Sequence, residues 1–420
     1  MSKWEKIYIV FVICLAAGVS LSATDEGDAV VLNQFDAFGF ISQIVEYALL
    51  ICFCYLHRRT LLQHLRHLRG PMPLAFLAFL SFSWSLLPRY TFSRGITLLM
   101  VTLIGYYMGA LLDPAALSRL YFRTFGFLTV LSVLVVVLLP KYGISHGAHS
   151  GDWRGAFYHK NKLGEMMAVA VLTFLVANPA QTTRLRRWGL FVLSLGLLYK
   201  SHAGTATTAV AVAFGAQLMW RFLMLRRQAI IGMTLAGYPI AALAVGLVIT
   251  YSSSLFKLLG KDATFSGRDR LWAAVIESIR LRPLLGYGYQ TFFLDEGGKT
   301  TLIREKTSFV TIHAHDGFLN LMLHVGVIGL VLCLAFLASA LWIVIRQGRR
   351  TKSTEARWFF CFIVFVLFTN LTESQLIEAP FIWITLIAFY TSFSIQRAES
   401  FAEVTFESES LMKLSAAYPS

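Results

Sequence analysis

The sequence has few charged residues for its length. Only 14% of its 420 residues are Asp, Glu, Lys or Arg, whereas soluble proteins average about 25%. In addition, 56% of the residues are hydrophobic. This composition excludes a soluble multidomain enzyme, a secreted disulfide scaffold and a disordered chain. A membrane β-barrel is excluded as well, because its strands would alternate polar and apolar residues rather than run apolar throughout.

Cysteine is scarce, and the motifs of nucleotide-driven chemistry are missing. The five cysteines lie inside apolar stretches, which is typical of small buried side chains rather than of disulfides or metal ligands: Cys14, Cys52, Cys54, Cys333 and Cys361. The predicted outside loops contain no Asp-x-Asp motif for a metal-bound nucleotide sugar. The phosphate-binding pattern GxxxxGK[ST] occurs nowhere in the chain. Reactions driven by nucleotides are therefore disfavoured.

What the sequence does contain is a series of apolar runs near the ~20 residues that a helix needs to cross a bilayer. These runs predict an all-α, polytopic membrane protein with about twelve transmembrane helices, at residues 7–23, 38–56, 71–87, 93–112, 121–140, 163–178, 188–200, 205–221, 229–250, 317–345, 358–371 and 377–395. They form a single membrane domain over residues 1–395. Residues 396–420 lack an apolar period and predict a loose cytoplasmic tail.

The excess of basic residues predicts the orientation of the chain. The net charge is +14, from 37 Lys and Arg against 23 Asp and Glu. Basic clusters fall in alternate loops, as the positive-inside rule requires of cytoplasmic loops, so both termini are predicted to be cytoplasmic and no nucleic-acid partner is expected. These clusters are Arg58, Arg59, Arg66 and Arg69; Arg119 and Arg123; Arg184, Arg186 and Arg187; Arg226 and Arg227; and Arg346, Arg349, Arg350 and Lys352.

Two predicted outside loops, 141–162 and 251–316, are also basic, which topology does not explain. Long loops cross the membrane regardless of charge, so a single lysine there carries little weight. Together, however, the cations indicate an anionic substrate on the outer face of the membrane. In the first loop, Asn161 is predicted to cap a helix, so that His159 and Lys160 lie at its anion-binding N-terminus, near Arg154. Ordinary anchoring at the membrane interface is the alternative for this segment.

The second loop predicts an amphipathic helix that starts near Ser266 and Asp269 and ends before Pro283. Its apolar stripe of Leu271, Trp272, Val275 and Ile279 predicts a helix lying along the membrane surface. Arg268 falls on the side of the stripe and is the predicted anion ligand, whereas Arg270 points elsewhere. Arg280 and Arg282 are predicted to contact lipid headgroups.

The second loop ends with two histidines before another helix. Asp316 is the predicted N-cap of that helix, which places His313 and His315 near the bilayer surface, where proton transfer is the favoured role. A zinc site would need three or four ligands, and no recognised spacing joins these residues with His146, His149 or His159. His324, deeper in the helix, predicts a buried histidine with a hydrogen-bond partner.

Taken in order, the motifs between about residues 80 and 345 resemble the O-antigen ligase/polymerase family, and the first motif is most similar to its exopolysaccharide branch. The motifs are Arg154-Gly-x-Phe-x-His159-Lys160-Asn161-x-Leu-Gly164, Ser201 to Thr205, Gly267-Arg268-x-x-Leu-Trp272, Pro283-Leu-Leu-Gly-Tyr-Gly288 and His315-Asp316-Gly-x-Leu with Gly326-x-x-Gly329. The family often has Asn where this chain has Asp316.

The resemblance implies an inner-membrane, inverting glycosyltransferase that needs no metal or other cofactor. It would transfer a glycan from undecaprenyl diphosphate to an acceptor hydroxyl on the periplasmic side. Arg154 and Arg268 would hold the diphosphate, and His315 would assist the acceptor hydroxyl. Substrate binding is expected of the neighbouring motif residues His159, Lys160, Asn161, Ser201, Thr205, Arg270, His313 and Asp316.

Three hypotheses remain open from the sequence. The first is a polymerase whose acceptor is another lipid-linked repeat unit, and the second is a ligase that uses lipid A-core or a protein as acceptor. The third is a transporter of lipid-linked oligosaccharides that makes no bond. The small number of charged residues inside the predicted spans, mainly Glu46 and Glu165, argues against a transporter. The expected partners are membrane lipids, the glycan donor and acceptor, and other proteins of polysaccharide assembly and export.

Overall fold

The computed structural model describes residues 2–20, 37–146, 149–177, 182–225, 268–294 and 313–417. In these ranges the regular secondary structure is helical and there is no β-strand. Isolated bridges join Val19 to Phe157 and Ile144 to Trp153. The prediction of an all-α protein is confirmed.

The described helices overlap every predicted span except 229–250, which lies outside the described residues. In chain order they are α1 (Lys3–Ala16), α2 (Ala37–Leu56), α3 (Arg58–His64), α4 (Met72–Leu80), α5 (Pro88–Leu111), α6 (Pro114–Leu138), α7 (Pro140–Gly143), α8 (Lys160–Val176), α9 (Arg184–Lys200), α10 (Gly204–Leu223), α11 (Arg268–Leu281), α12 (Gly317–Thr351), α13 (Thr354–Thr369) and α14 (Pro380–Ala417). Short 3₁₀ turns follow α3, at Leu65–Arg69, and α4, at Ser81–Ser83, and a third lies at Phe292–Leu294.

Among the described residues, four helices are long and apolar enough to cross a membrane, namely α5, α6, α10 and α12. Shorter apolar helices lie at Gln43–Leu56 and Met72–Ser83. These apolar helices indicate a multi-pass membrane protein. The number of twelve crossings and the cytoplasmic location of both termini stay predictions.

Short polar side chains and prolines determine where several helices begin. Asp113 accepts a hydrogen bond from the Ala116 N–H before α6, and Thr183 accepts one from Arg186 before α9. Each acceptor satisfies one of the backbone N–H groups that have no partner within the helix. Pro88 begins α5 at a position where the missing N–H costs nothing, so this helix starts five residues before the predicted span at 93.

The last helix continues far beyond its predicted end. The prediction of a loose tail from residue 396 was wrong as far as Ala417, because α14 runs without a break to that residue. Residues 396–417 contain no Gly or Pro and are rich in Ala, Glu and Ser. The loss of the apolar period therefore did not mark the end of the helix. Residues compatible with a helix, and the absence of Gly and Pro, allow the helix to continue.

Two glycines allow α5 and α14 to pack closely in the core. A Cβ at Gly109 of α5 would lie 2.3 Å from the carbonyl oxygen of Ala388 in α14, and one at Gly105 would lie 2.9 Å from that of Ile384. Small residues at such a contact let two backbones approach, as in other membrane helix pairs. Across the same interface, the Trp383 indole donates to the Thr102 hydroxyl at 2.9 Å, which satisfies a buried donor.

The helix bundle has two ends that differ in charge. At one end, arginines donate to the last carbonyls of neighbouring helices: Arg187 of α9 to Phe174 of α8, Arg349 of α12 to Leu223 of α10, and Arg357 of α13 to Val176 of α8. We term this the basic end, because it holds the predicted cytoplasmic clusters around Arg187 and Arg349. Since α8, α10 and α12 finish there, they begin at the opposite end, which we term the site end.

Candidate active site

The first predicted segment forms a compact turn at the site end, built around Asp152. One carboxylate oxygen of Asp152 lies 2.5 Å from Lys160 Nζ, and the other lies 2.5 Å from His202 Nδ1, just after α9. Burial alone would raise the pKa of this carboxyl, but hydrogen bonds from Lys160 and His202 outweigh it and hold the pKa below its usual range. Lys160 is therefore anchored at the start of α8 beside a carboxylate.

The cap of α8 differs from the prediction. His159, rather than Asn161, is the N-cap, because its Nδ1 accepts a hydrogen bond from the Asn161 N–H at 3.2 Å. The helix thus begins at Lys160, and Asn161 is an exposed residue of its first turn. An Asn before an apolar run is a good capping signal, but an imidazole two residues earlier can accept the same kind of bond.

Arg154 is buried beneath this turn, with 1% of its surface exposed. Its Nε donates to the Tyr142 carbonyl at 2.9 Å, and a terminal nitrogen donates to the Tyr158 carbonyl at 3.5 Å. These bonds connect the two sides of the loop between α6 and α8. Arg154 therefore supports the shape of this loop, and its predicted contact with a diphosphate stays a prediction.

The next motif lies beside the first. Ser201 ends α9 and is buried, donating to the Leu198 carbonyl at 2.7 Å. Its hydroxyl oxygen would lie 2.9 Å from a Cβ placed on Gly164 of α8. Gly164, at the end of the first motif, therefore leaves room for the Ser201 side chain. Thr205, in the first turn of α10, is partly exposed at the same end of the bundle.

The predicted amphipathic helix is α11, which begins at Arg268 and ends at Leu281, before Pro283, as predicted. The Arg268 side chain lies outside the part of the chain that the structure describes, and Arg270 is exposed. The predicted location of α11 along the membrane surface stays a prediction, but its apolar stripe is not exposed. It is buried against other parts of the protein, in a cluster that includes Leu271, Val275, Ile279, Tyr287, Phe292 and Leu323.

The turn before α12 brings three potential proton carriers together. His313 Nε2 and His315 Nδ1 each lie 3.8 Å from Glu373 Oε2, and the two imidazole centroids are 4.2 Å apart. Between 20% and 29% of each of these side chains is exposed. His315 has a φ of +50°, in the left-handed region that few residues other than glycine adopt.

Asp316 is the N-cap of α12, as predicted. Its carboxylate accepts hydrogen bonds of 2.9 Å from the N–H groups of Phe318 and Leu319. Burial raises the pKa of Asp316, although these two backbone hydrogen bonds act in the opposite direction. The residue after His315 therefore has a clear part in starting the helix, which an Asn could also perform.

The peptide units between the two histidines are held from both sides. The Ala314 N–H donates to Asn320 Oδ1 of α12 at 3.2 Å, and the Ala314 carbonyl accepts from the Trp272 indole of α11 at 3.0 Å. Ala314 is fully buried. The helix that starts at Arg268 and the turn that carries His315 are thus connected through one residue, which we term the Ala314 clamp.

A buried polar network supports the same turn from below. His324 Nδ1 accepts from the Gln290 N–H at 3.2 Å, so the neutral ring carries its proton on Nε2 and donates to Glu378 Oε1 at 3.0 Å. Asn320 also donates to that carboxylate. The prediction that His324 is a buried histidine with a hydrogen-bond partner is confirmed, with 3% of its surface exposed.

Four charged or titratable residues of the site were not predicted from the sequence. They are Asp152 in the turn after α7, His202 just after α9, Glu373 beside His315, and Glu378 beside His324. One signal was present for Glu373, because the short predicted outside loop between residues 371 and 377 places its carboxylate on the side of His315. Such acidic residues beside apolar spans are costly unless they have a partner. The structure places both clusters, around Asp152 and around Glu373, at the site end.

Comparison with known proteins agrees with the motifs. A family model described as O-antigen ligase matches residues 189–334, which contain Arg268 and His315 but not Arg154, Glu373 or Glu378. The chain is also 23% identical over 321 residues to the exopolysaccharide production protein ExoQ of Rhizobium meliloti (strain 1021), covering 72% of this chain and 71% of that protein. The predicted resemblance to the O-antigen ligase/polymerase family is confirmed.

Proposed function

We propose that this chain, which is similar to the O-antigen ligase/polymerase family, joins lipid-linked repeat units into a polysaccharide. In this proposal it is an inner-membrane, inverting glycosyltransferase that needs no metal. The donor is a glycan on undecaprenyl diphosphate, and the acceptor is the hydroxyl of another repeat unit. The reaction takes place on the periplasmic side.

One observation carries this proposal: His315 and Glu373 lie beside each other at the end of the bundle opposite the basic clusters. The positive-inside rule assigns the basic end to the cytoplasm, so the site end faces the periplasm. Lys160 lies at the same end, at the start of α8, where backbone N–H groups attract anions. A proton carrier and a helix N-terminus that carries Lys160 therefore lie at the end that, in this proposal, faces the periplasm.

The geometry gives His315 a definite role in the proposed reaction. Its Nδ1 lies 3.8 Å from the Glu373 carboxylate, and in the proposed reaction Nδ1 is turned toward this carboxylate while Nε2 acts as the base. The acceptor oxygen forms a bond to the anomeric carbon while its proton passes to Nε2. The bond from that carbon to the diphosphate breaks, and the diphosphate keeps the electron pair. Attack from the face opposite the leaving group inverts the anomeric centre.

Cations stabilise the departing diphosphate in this reaction. Arg268 at the start of α11 is the proposed direct ligand, since that helix is fixed to the His315 turn through the Ala314 clamp. Arg154 is only 1% exposed and donates to the backbone carbonyls of Tyr142 and Tyr158, so it supports the loop from inside the protein. We therefore assign Arg154 a supporting role, and the remaining predicted residues His159, Lys160, Asn161, Ser201, Thr205, Arg270, His313 and Asp316 stay proposed members of the substrate site.

The name of the relative favours a polymerase over the other hypotheses. ExoQ is a protein of exopolysaccharide production, whereas the matching family model is described as a ligase, so a ligase with lipid A-core or another acceptor is the second candidate. For a transporter, the charge of Glu165 would need to be available in the membrane. It is instead paired with Lys162 at 3.0 Å near the start of α8.

The proposal is tested by supplying the purified protein with undecaprenyl-diphosphate repeat units in the presence of EDTA. We expect one free carrier diphosphate for each glycosidic bond formed, together with longer lipid-linked glycans. Arg268→Ala should lower this rate by about 10²–10³-fold, the usual effect of removing one preorganised donor to developing negative charge. Arg280→Ala, an exposed arginine on the same helix, is the matched control and should keep the wild-type rate.

Each alternative predicts a different product in this assay. A ligase would release carrier diphosphate when lipid A-core is added and would not lengthen the donor by itself. A transporter would move the lipid-linked unit across a vesicle membrane without forming a bond. Either result would contradict the polymerase.

The Ala314 clamp gives a further prediction for the reaction. Trp272→Phe keeps an aromatic ring in place but removes the hydrogen bond to the Ala314 carbonyl, so the turn carrying His315 loses one of its two supports. We expect kcat to fall about tenfold, because displacements near 1 Å cost up to about 10²-fold in rate. Carrier diphosphate release measures the effect, with the exposed Trp188→Phe on α9 as control. An unchanged kcat in Trp272→Phe would show that the clamp does not position His315.

A further inference from the structure

The cluster of His313, His315 and Glu373 also has the composition of a metal site. One ligand atom from each of these residues lies within 4.8 Å of the other two. Two imidazoles and one carboxylate are a common ligand set of zinc sites that keep an open position, and they also form the facial triad of several transition-metal sites. We propose that this cluster binds a divalent transition-metal ion, with Zn²⁺ as the preferred ion, and that the bound ion inhibits the enzyme.

The distances allow this binding after the three ligand atoms move closer together. Zinc bonds of about 2.0–2.1 Å in a tetrahedral site separate neighbouring ligand atoms by roughly 3.3 Å. The two His–Glu separations are 3.8 Å, so the carboxylate needs to approach each imidazole by about half an ångström. All three ligand atoms lie within 4.8 Å of one another, so the two imidazole nitrogens need to approach each other by at most about 1.5 Å. Glu373 follows α13 and His313 precedes α12, so each ligand lies outside a helix. Each of the three side chains is 20–29% exposed, so an ion can reach the cluster from solvent.

The ligand set is spread over distant parts of the chain, which is why the sequence did not predict it. His313 and His315 are separated by one residue, while Glu373 lies more than fifty residues later, after α12 and α13. The other histidines considered from the sequence belong elsewhere. His149 and His159 have ring centroids 5.8 Å apart in the segment around Asp152. In the described residues, Glu373 rather than a third histidine supplies the third candidate ligand.

Inhibition follows from the chemistry of imidazole, and this step rests on the proposed function. His315 faces Glu373 through Nδ1. A metal bound at Nδ1 leaves the proton of the neutral ring on Nε2, which is the nitrogen that has to accept the acceptor's proton. The metal also occupies the carboxylate that supports this histidine. Zn²⁺ therefore removes the base, whereas the reaction itself continues in EDTA.

Binding is tested without any reference to activity, by titrating the full-length protein in detergent with Co²⁺ alone. We expect one Co²⁺ per chain with a visible absorption band typical of four or five ligands, and its displacement by Zn²⁺. His313→Ala and Glu373→Gln should each weaken Zn²⁺ binding by more than about tenfold, since even groups that only orient metal ligands are worth about 10–100-fold. His64→Ala, in α3, is the control and should bind as the wild type does.

Two results would overturn the metal site. The first is unchanged Zn²⁺ affinity in both His313→Ala and Glu373→Gln, with folding verified by circular dichroism. The second is an intense near-ultraviolet thiolate band, which would place the ion at a cysteine. Either result leaves the proposed transfer reaction intact, because transfer is measured in EDTA.

Inhibition is measured separately, as carrier diphosphate release at increasing Zn²⁺. We expect the wild type to lose activity over the concentration range in which Zn²⁺ displaces Co²⁺. Glu373→Gln, compared with its own metal-free rate, should require at least about tenfold more Zn²⁺. Full activity of the wild type with Zn²⁺ bound would overturn the inhibition and would also show that His315 is not the base.

Discussion

Replacing His315 with alanine should lower the rate of glycosyl transfer by about 10²–10⁴-fold, the usual contribution of a positioned general base. The effect should appear in kcat rather than in KM, because the imidazole acts on the acceptor proton and the donor diphosphate is held elsewhere. Carrier diphosphate release at saturating donor measures the change.

The control for this variant is His64→Ala, which removes an imidazole from α3, outside the candidate site. Its transfer rate should equal that of the wild type. Glu373→Gln gives an intermediate test, because it keeps the size of the side chain but removes the charge that faces His315 Nδ1. We expect it to lower kcat by less than His315→Ala does. A His315→Ala protein that is folded and retains its full rate would contradict the assignment of His315 as the base.

The second large effect is expected in folding, at Gly326. This glycine interrupts α12 with φ +68° and ψ −168°, a conformation that is essentially restricted to glycine. A Cβ at this position would lie 2.1 Å from the Leu284 carbonyl oxygen, which belongs to the backbone and cannot rotate away. We expect Gly326→Ala to lose several kcal/mol of stability, from backbone strain of about 1–3 kcal/mol together with the steric clash.

Because native proteins are stable by only about 5–15 kcal/mol, this variant should give little folded protein. Size-exclusion chromatography of the detergent-extracted protein measures the yield of monodisperse material. Gly215→Ala is the matched control, since a Cβ at Gly215 of α10 would meet no atom within 4 Å. Its yield should equal or exceed that of the wild type, as alanine favours a helix over glycine by roughly 0.5–1 kcal/mol. Equal yields of the two variants would contradict this account of Gly326.

The helices could be predicted because their signal is local. An apolar run of sufficient length specifies a helix by itself, so α5, α6 and α12 appear close to their predicted positions. Helix ends depend on single side chains, and there the prediction erred, as at His159 and in the extension of α14 to Ala417. The residues that cover the apolar stripe of α11 come from other parts of the chain, so the pattern of residues 271–279 could not predict them.

The candidate site could be predicted in part for the same reason. His313, His315 and Asp316 stand together in the sequence, and the structure keeps them together before α12. Their carboxylate partner Glu373 comes from a different connection, and the packing of α12 with α13 brings it close. The hydrogen bond between the Gly317 N–H and the Asn370 carbonyl, at 2.8 Å, is a direct sign of this packing. Pairings of this kind arise from tertiary structure and are not encoded by spacing.

The Ala314 clamp has a consequence for how this part of the protein changes shape. Because Trp272 and Asn320 hold the two polar groups of one residue, a displacement of Ala314 disturbs α11 and α12 in the same event. Losing either support leaves a buried backbone group without its partner, at a cost of about 1–3 kcal/mol. Intermediate arrangements are therefore penalised, and we expect the arginine-bearing helix and the histidine turn to be aligned or misaligned together, as a single cooperative unit.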